Sequence, residues 1–287
     1  MGSGTWTTAS YSDYNTSVGK LYDISTNRVV NQVFTQKKLD DSLNPRLFSI
    51  RECVDSDEHP NTIPIILALD VTGSMGRSCK ETAEALGVIM ESLYKKHKDI
   101  EFCVMGIGDL AYDEAPIQMS QFESDVRIAE ALDKIYMEHG GGGNAYESYT
   151  AAWWMGLNRT SHDRINKQGK KGIIITMGDE PLNPYLPVNK LNDAVNGKAQ
   201  ADINTDELYQ EVSKKFDVFH IAIDDADNCY QDYKDRINSS FGKLLGQRLV
   251  VSTINDLAKT ITECIDNALG SEYGQTNMVN ENGEISW

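Results

Sequence analysis

The chain has 287 residues, 40% of them hydrophobic and 24% charged, enough to bury a substantial core as one large domain or two small ones. Its net charge of −16 repels nucleic acid and anionic lipid, leaving cations, metals and locally matched protein surfaces as partners. No apolar run approaches the roughly 18 residues of a membrane helix, and MGSGTWTTAS lacks the regions of a secretory leader, so a cytoplasmic protein without membrane partners is expected.

Residues 1–61 are polar, with turn signals and no sustained period, and are expected to form an extension packed on the core. At Thr62 the pattern changes, and TIPIILALD is a continuous apolar run of strand length. Ala85, Leu86, Ile89, Leu93 and Tyr94 then fall on one helical stripe. Glu101 to Asp109 reads as a second strand, with PIQMSQFES as its hairpin partner. Ile128, Leu132, Ile135 and Tyr136 are spaced for a helix that the glycine run Gly140–Gly143 should stop. AYESYTAAWWMGL predicts another helix, GIIIT a strand, NTDELYQEVSKKF a helix, and FDVFHIAI and RLVVST the last strands. Leu257, Ile261, Ile265 and Leu269 recur every four residues in a final helix, with Gly270 as its stop. Residues 271–287 should be a mobile tail, which leaves 62–270 as the domain proper.

Strands alternating with helices imply an α/β fold, a doubly wound, mostly parallel sheet with helices on both faces and one antiparallel edge strand. Ligands of such sheets bind beyond the carboxyl ends of the strands. Five scattered cysteines (Cys53, Cys79, Cys103, Cys229, Cys264) form no CxxC pair and read as buried free thiols.

The first apolar strand ends in DVTGSMG, where Asp70, Thr72 and Ser74 place three oxygen side chains on one tight loop. Magnesium takes about six oxygens, so other loops on that edge must contribute. GGGGNAYES (Gly140–Ser148) and TMGDEP (Thr176–Pro181) are the two candidates. This succession of buried strand, D-x-[ST]-x-S, glycine-rich loop and acidic loop resembles the von Willebrand factor A domain with its metal-ion-dependent adhesion site, and among its members the bacterial and phage-type ones. The resemblance spans roughly Thr62 to Gly270.

The resemblance implies a Rossmann-like fold and a resident Mg2+ or Mn2+. It assigns Thr72 and Ser74 as direct hydroxyl ligands and Asp70 as a ligand through water. Asn144 stands where the family usually has threonine, with Glu147 nearby as another donor. The third loop departs from the family's T-D-G, reading Thr176, Met177, Gly178 before the acid arrives, so Asp179 or Glu180 remains the candidate there, Asp179 having the shorter reach from the strand. The implied activity is non-catalytic: a neutral ligand set leaves the ion charge to capture a carboxylate from an Asp or Glu of a protein partner, as in assemblies or beside ATP-driven remodelling machines.

Other readings of these residues stand beside that one. Thr72 and Ser74 could cap the next helix, and Asp179 and Glu180 could do likewise. Asp109, ending the second strand, fits a turn or the edge of the site, Asp55–His59 an exposed charged loop, and Trp153 and Trp154 core and flank. His97, His139, His162 and His220 show no paired spacing. A phosphatase-like acid two residues after Asp70 is missing, as are G-x-S-x-G and GxxxxGK[ST]. The rival functions are a metal-assisted hydrolase and a structural subunit with a degenerate site.

Overall fold

The computed structural model describes residues 4–32, 34–138 and 144–276. The glycine run Gly140–Gly143, and the end of the tail from residue 277, lie outside the described residues.

Six strands form the central sheet: β1 (Ile63–Asp70), β2 (Ile100–Ile107), β3 (Ile117–Met119), β4 (Gly172–Gly178), β5 (Phe216–Asp224) and β6 (Leu249–Thr253). Their order is β6-β5-β4-β1-β2-β3. All neighbours are parallel except β2 and β3, which pair antiparallel from Met105↔Met119 to Ile107↔Ile117. The expected edge hairpin is therefore present. The chain moves from β1 to β2 on one side, then returns to build β4, β5 and β6 on the other. In open α/β sheets ligands bind at such a reversal, which here falls beyond the end of β1, between its two neighbours.

The continuous apolar strands are explained by two cores. Ile65, Leu67 and Leu69 of β1 enter one hydrophobic cluster, whereas Ile66 and Ala68 enter another, as the two-residue period of a strand requires. The first cluster is completed by residues of α2 (Gly76–Glu84), α3 (Leu86–Tyr94), α4 (Arg127–Asp133) and the last helix, Leu257–Thr276. The second is completed by α5 (Thr150–Asn158), α6 (Thr205–Lys215) and α7 (Tyr230–Leu245). Asn204 caps α6 by accepting from Glu207 N, and Leu208 and Val212 are buried beneath it.

Two helix ends depart from expectation for identifiable reasons. Helix α4 stops at Asp133 because the following backbone is taken by the sheet side: Tyr136 N donates to Gln118 Oε1 at 2.9 Å, Gln118 Nε2 donates to Tyr136 O at 2.7 Å, and Glu138 N donates to Val71 O at 2.9 Å. The last helix, α8, does not stop at Gly270 but runs to Thr276. Gly270 has no positive φ there, and a helical glycine costs only about 1 kcal/mol relative to alanine.

Residues before Thr62 contribute to the first core. Trp6 and Tyr11, the latter on α1 (Thr8–Ser17), are buried with ring centroids 4.7 Å apart. Asn27 adopts φ 54, and its carbonyl comes so close to α3 that a Cβ on Gly87 would lie 2.4 Å from it.

Asp57 and Glu58 are exposed, as the sequence suggests, but His59 is buried and its Nε2 lies 2.8 Å from Gly4 O. Nearby, Glu101 near the start of β2 is 1% exposed and its Oε2 has no hydrogen-bond partner. Burial pushes this carboxyl from 4.5 up to about 7. Folding thus takes up a proton between these values, and stability falls as pH rises through that window. The shift corresponds to at most about 3 kcal/mol above neutral pH. Glu101→Gln should raise the melting temperature at pH 8 and leave it nearly unchanged at pH 4. A melting curve at pH 8 that shows no gain would refute this account.

Candidate functional site

The end of β1 is held before any ligand is considered. Val71 N donates to Ile107 O at 2.9 Å, which aligns the chain with β2 just past Asp70. Asp70 is fully buried, and its Oδ1 accepts from Thr72 N at 3.0 Å and from Thr72 Oγ1 at 2.5 Å. Its Oδ2 accepts from the phenol of Tyr149 at 2.7 Å. Ser74 Oγ donates to Asp179 Oδ1 at 3.2 Å, linking the first loop to the one after β4. Asp179, also fully buried, accepts through Oδ2 from Cys229 N at 2.8 Å, just before α7.

The capping reading of the first loop does not hold. Thr72 precedes the turn Gly73–Met75 without a side-chain capping bond, and α2 begins at Gly76 without one. Both hydroxyls instead turn their protons to carboxylates.

The middle loop reaches the same edge. Glu147 forms a parallel bridge to Leu182, is buried, and leaves Oε2 without a partner. Asn144 is exposed and both ends of its amide are engaged: Nδ2 donates to Asp109 Oδ2 at 2.7 Å, and Oδ1 accepts from Tyr146 N at 2.9 Å. Asp109 accepts from Ala111 N at 2.7 Å through its other oxygen, so it is both a turn aspartate and a wall of the site. Glu180 likewise has a partnerless, buried Oε2.

Electrostatics mark the strain of this gathering. Burial, then the charge of Asp179, raises the Asp70 carboxyl despite its three hydrogen bonds. Burial, then the charges of Asp70 and Glu180, raises Glu147. Burial also raises Asp179 and, with the charge of Asp179 added, carries Glu180 to about 7. Asp113, bonded to Asp109 N, is pushed to about 6 chiefly by burial. The site holds more acid than its own hydrogen bonds neutralise.

Tyr149 joins the loops and was not marked by any sequence signal. It donates to Asp70, its Oη accepts from Glu180 N at 3.3 Å, and its ring packs against His220 and Phe241. His220 is fully buried, stacks on Phe241 with centroids 3.7 Å apart, and has Nδ1 2.8 Å from Thr176 Oγ1. Burial lowers its pKa to about 3, so it is a neutral packing histidine. Tyr149 reaches Asp70 across 79 residues and Asp109 reaches Asn144 across 35, contacts that no local period reveals, whereas Asp113 joins through Asp109 four residues before it.

Among the described residues, no group of three or more His, Cys, Asp or Glu side chains is arranged to hold a metal ion. No helix among them is long and apolar enough to cross a membrane. No family model matches the chain, and no curated protein matches it. Solved structures do. The pilus adhesin SpaC from Lactobacillus rhamnosus GG, in an open conformation, matches with a TM-score of 0.47 at 12% identity, over 73% of this chain and 30% of the adhesin. A second form of that adhesin matches with a TM-score of 0.46 at 12% identity, over 73% and 30% of the two chains. Proximal thread matrix protein 1 from the mussel byssus matches with a TM-score of 0.47 at 11% identity, over 71% of this chain and 47% of that one. This chain therefore spans less than half the length of these structures.

These findings overturn the assignment to the von Willebrand factor A family. No family model supports the assignment, and among the described residues no group of three or more His, Cys, Asp or Glu side chains is arranged to hold the metal it implies. Its specific residues amount to one loop, DVTGSMG. At the third loop Met177 is a fully buried core residue where the family reads an acid, and Asp179 is already held by Ser74 and Cys229. What stands is a mixed α/β fold with a six-stranded, mostly parallel sheet.

Proposed function

We propose that this chain is a non-catalytic, divalent-cation-dependent protein-binding module. One observation carries the reading: Thr72 and Ser74 each donate a hydroxyl proton to a buried carboxylate, Asp70 and Asp179, which leaves their oxygen lone pairs for a hard cation. The partnerless Oε2 atoms of Glu147 and Glu180 fit the same need. Two hydroxyls and two carboxylates would make up this donor set.

Thr72 and Ser74 would hold Mg2+ or Mn2+ directly, Asp70 and Asp179 would orient them, and Glu147 would supply a carboxylate. Asn144 would have to release Asp109 to take part. The bound ion would supply a positive centre that accepts an Asp or Glu carboxylate from a protein partner, which fits a site placed where a doubly wound sheet reverses strand order. The free thiols, four of them buried, suit a cytoplasmic setting.

Calorimetric titration with MgCl2 or MnCl2 is expected to show one saturable site per chain. Capture of a protein partner should persist in magnesium and disappear in chelator. A featureless titration, or capture indifferent to chelator, sinks the reading.

A further inference from the structure

The rim of this site carries a guanidinium that forms no ion pair with a carboxylate among the described residues. Arg236 projects from the exposed side of α7, and its guanidinium carbon lies 4.8 Å from the ring centroid of Tyr146 and 5.2 Å from that of Tyr233. Its Nη2 donates to Ala145 O at a long 3.5 Å. Tyr146 belongs to the loop bearing Asn144 and Glu147, while Tyr233 lies one helical turn before Arg236. Both rings lie within cation–π range of the guanidinium, one from the loop and one from its own helix.

Arg77 provides the contrast. It is equally exposed to solvent at the start of α2, but its guanidinium is taken by Asp225 at 2.9 Å and Asp227 at 2.7 Å. Among the described residues Arg236 has no such ion pair, although the chain holds 43 acidic residues against 27 Lys and Arg. Stacking occupies the faces of a guanidinium and leaves its in-plane N–H donors free to fork a carboxylate. A side chain already held between two rings also loses less rotamer freedom on binding than a free arginine.

We propose that Arg236, clamped by Tyr146 and Tyr233, is a specificity contact that takes a second carboxylate of the same partner, so that the site selects a di-acidic segment. The first carboxylate is the one assigned to the cation, and to that extent the inference rests on the cation-dependent reading. The geometry of the second contact is independent of any ion. A negatively charged surface would otherwise reject a doubly acidic ligand, and a fixed cation beside the loops offsets that repulsion.

The test uses acetylated hexapeptides carrying one aspartate, or two aspartates at graded separations, titrated into the full chain in MgCl2. At one separation the di-acidic peptide should bind about tenfold tighter than the single-acid peptide. Arg236→Gln should erase that preference while keeping single-acid affinity and magnesium uptake, and Arg236→Lys should restore it only in part. A preference that survives Arg236→Gln, or no preference at any separation in the wild type, overturns the proposal. Magnesium uptake is read in the same samples. If the wild type takes up none, the cation-dependent reading fails, while the comparison of di-acidic with single-acid peptides still decides the role of Arg236.

Discussion

Asp70→Ala combined with Thr72→Ala is expected to abolish magnesium uptake and the thermal stabilisation that accompanies it. In the wild type, a ligand that binds only the folded state at one hundred times its dissociation constant adds about 2.7 kcal/mol to stability. The double variant removes the hydroxyl that supplies a donor oxygen together with the carboxylate that orients it. Each single substitution would leave the other buried group without its partner, so the pair is the cleaner choice. Removing Asp70 also leaves the buried Tyr149 phenol proton without its acceptor, so the metal-free fold should lose about 1–3 kcal/mol. Melting curves with and without MgCl2 check this directly. Wild type should shift upward and the variant should not. Equal shifts in both would place the cation elsewhere, and Ser74→Ala, which leaves Asp70 and Thr72 untouched, guards against a variant that merely misfolds.

The parts of the molecule legible in its sequence are those governed by local patterns. Ile63–Asp70 and Gly172–Gly178 announce themselves as strands because both faces are buried, and the run of apolar residues is the direct imprint of that burial. The antiparallel β3 is legible because an apolar stretch follows β2 closely in sequence, after residues 108–116. Asp70, Thr72 and Ser74 are legible as a loop because they sit at one strand end with a tight turn after them. Their partners are not. Ser74 and Asp179 meet across 105 residues, and Tyr149 and Asp70 across 79, so only the assembled sheet brings them together. Asn144 shows the limit most clearly: its residue type suits a cation, but Asp109 and the Tyr146 amide use both ends of its amide, and neither contact follows from the glycine-rich spacing. The same holds for the end of α4, where competition from Gln118 and Val71 overrides a good helical period.

Gly178→Ala is expected to be among the most damaging single-methyl additions in the chain. A Cβ there would stand 2.0 Å from Tyr149 Oη and 2.4 Å from its Cε1 and Cζ. The ring cannot slide aside cheaply, because Tyr149 is fully buried against the stacked pair His220 and Phe241 and tied to Asp70. Overpacking of a dense core costs about 1–3 kcal/mol. Displacing the phenol also strips a hydrogen bond from the buried Asp70 carboxylate, worth roughly another 1–3 kcal/mol. A loss of about 2–6 kcal/mol follows from the two together, a large share of a domain's usual margin. The mechanism makes a sharper statement than the magnitude does. If the cost is the collision with Tyr149, then in a Tyr149→Ala background, already destabilised by its own cavity, the added methyl should cost little. Urea unfolding of the four proteins in this cycle measures the coupling, which should be at least about 2 kcal/mol for residues in such contact. Additive effects would mean that Gly178 is glycine for some reason other than Tyr149, and would remove the explanation for how the loop after β4 is fixed against the end of β1.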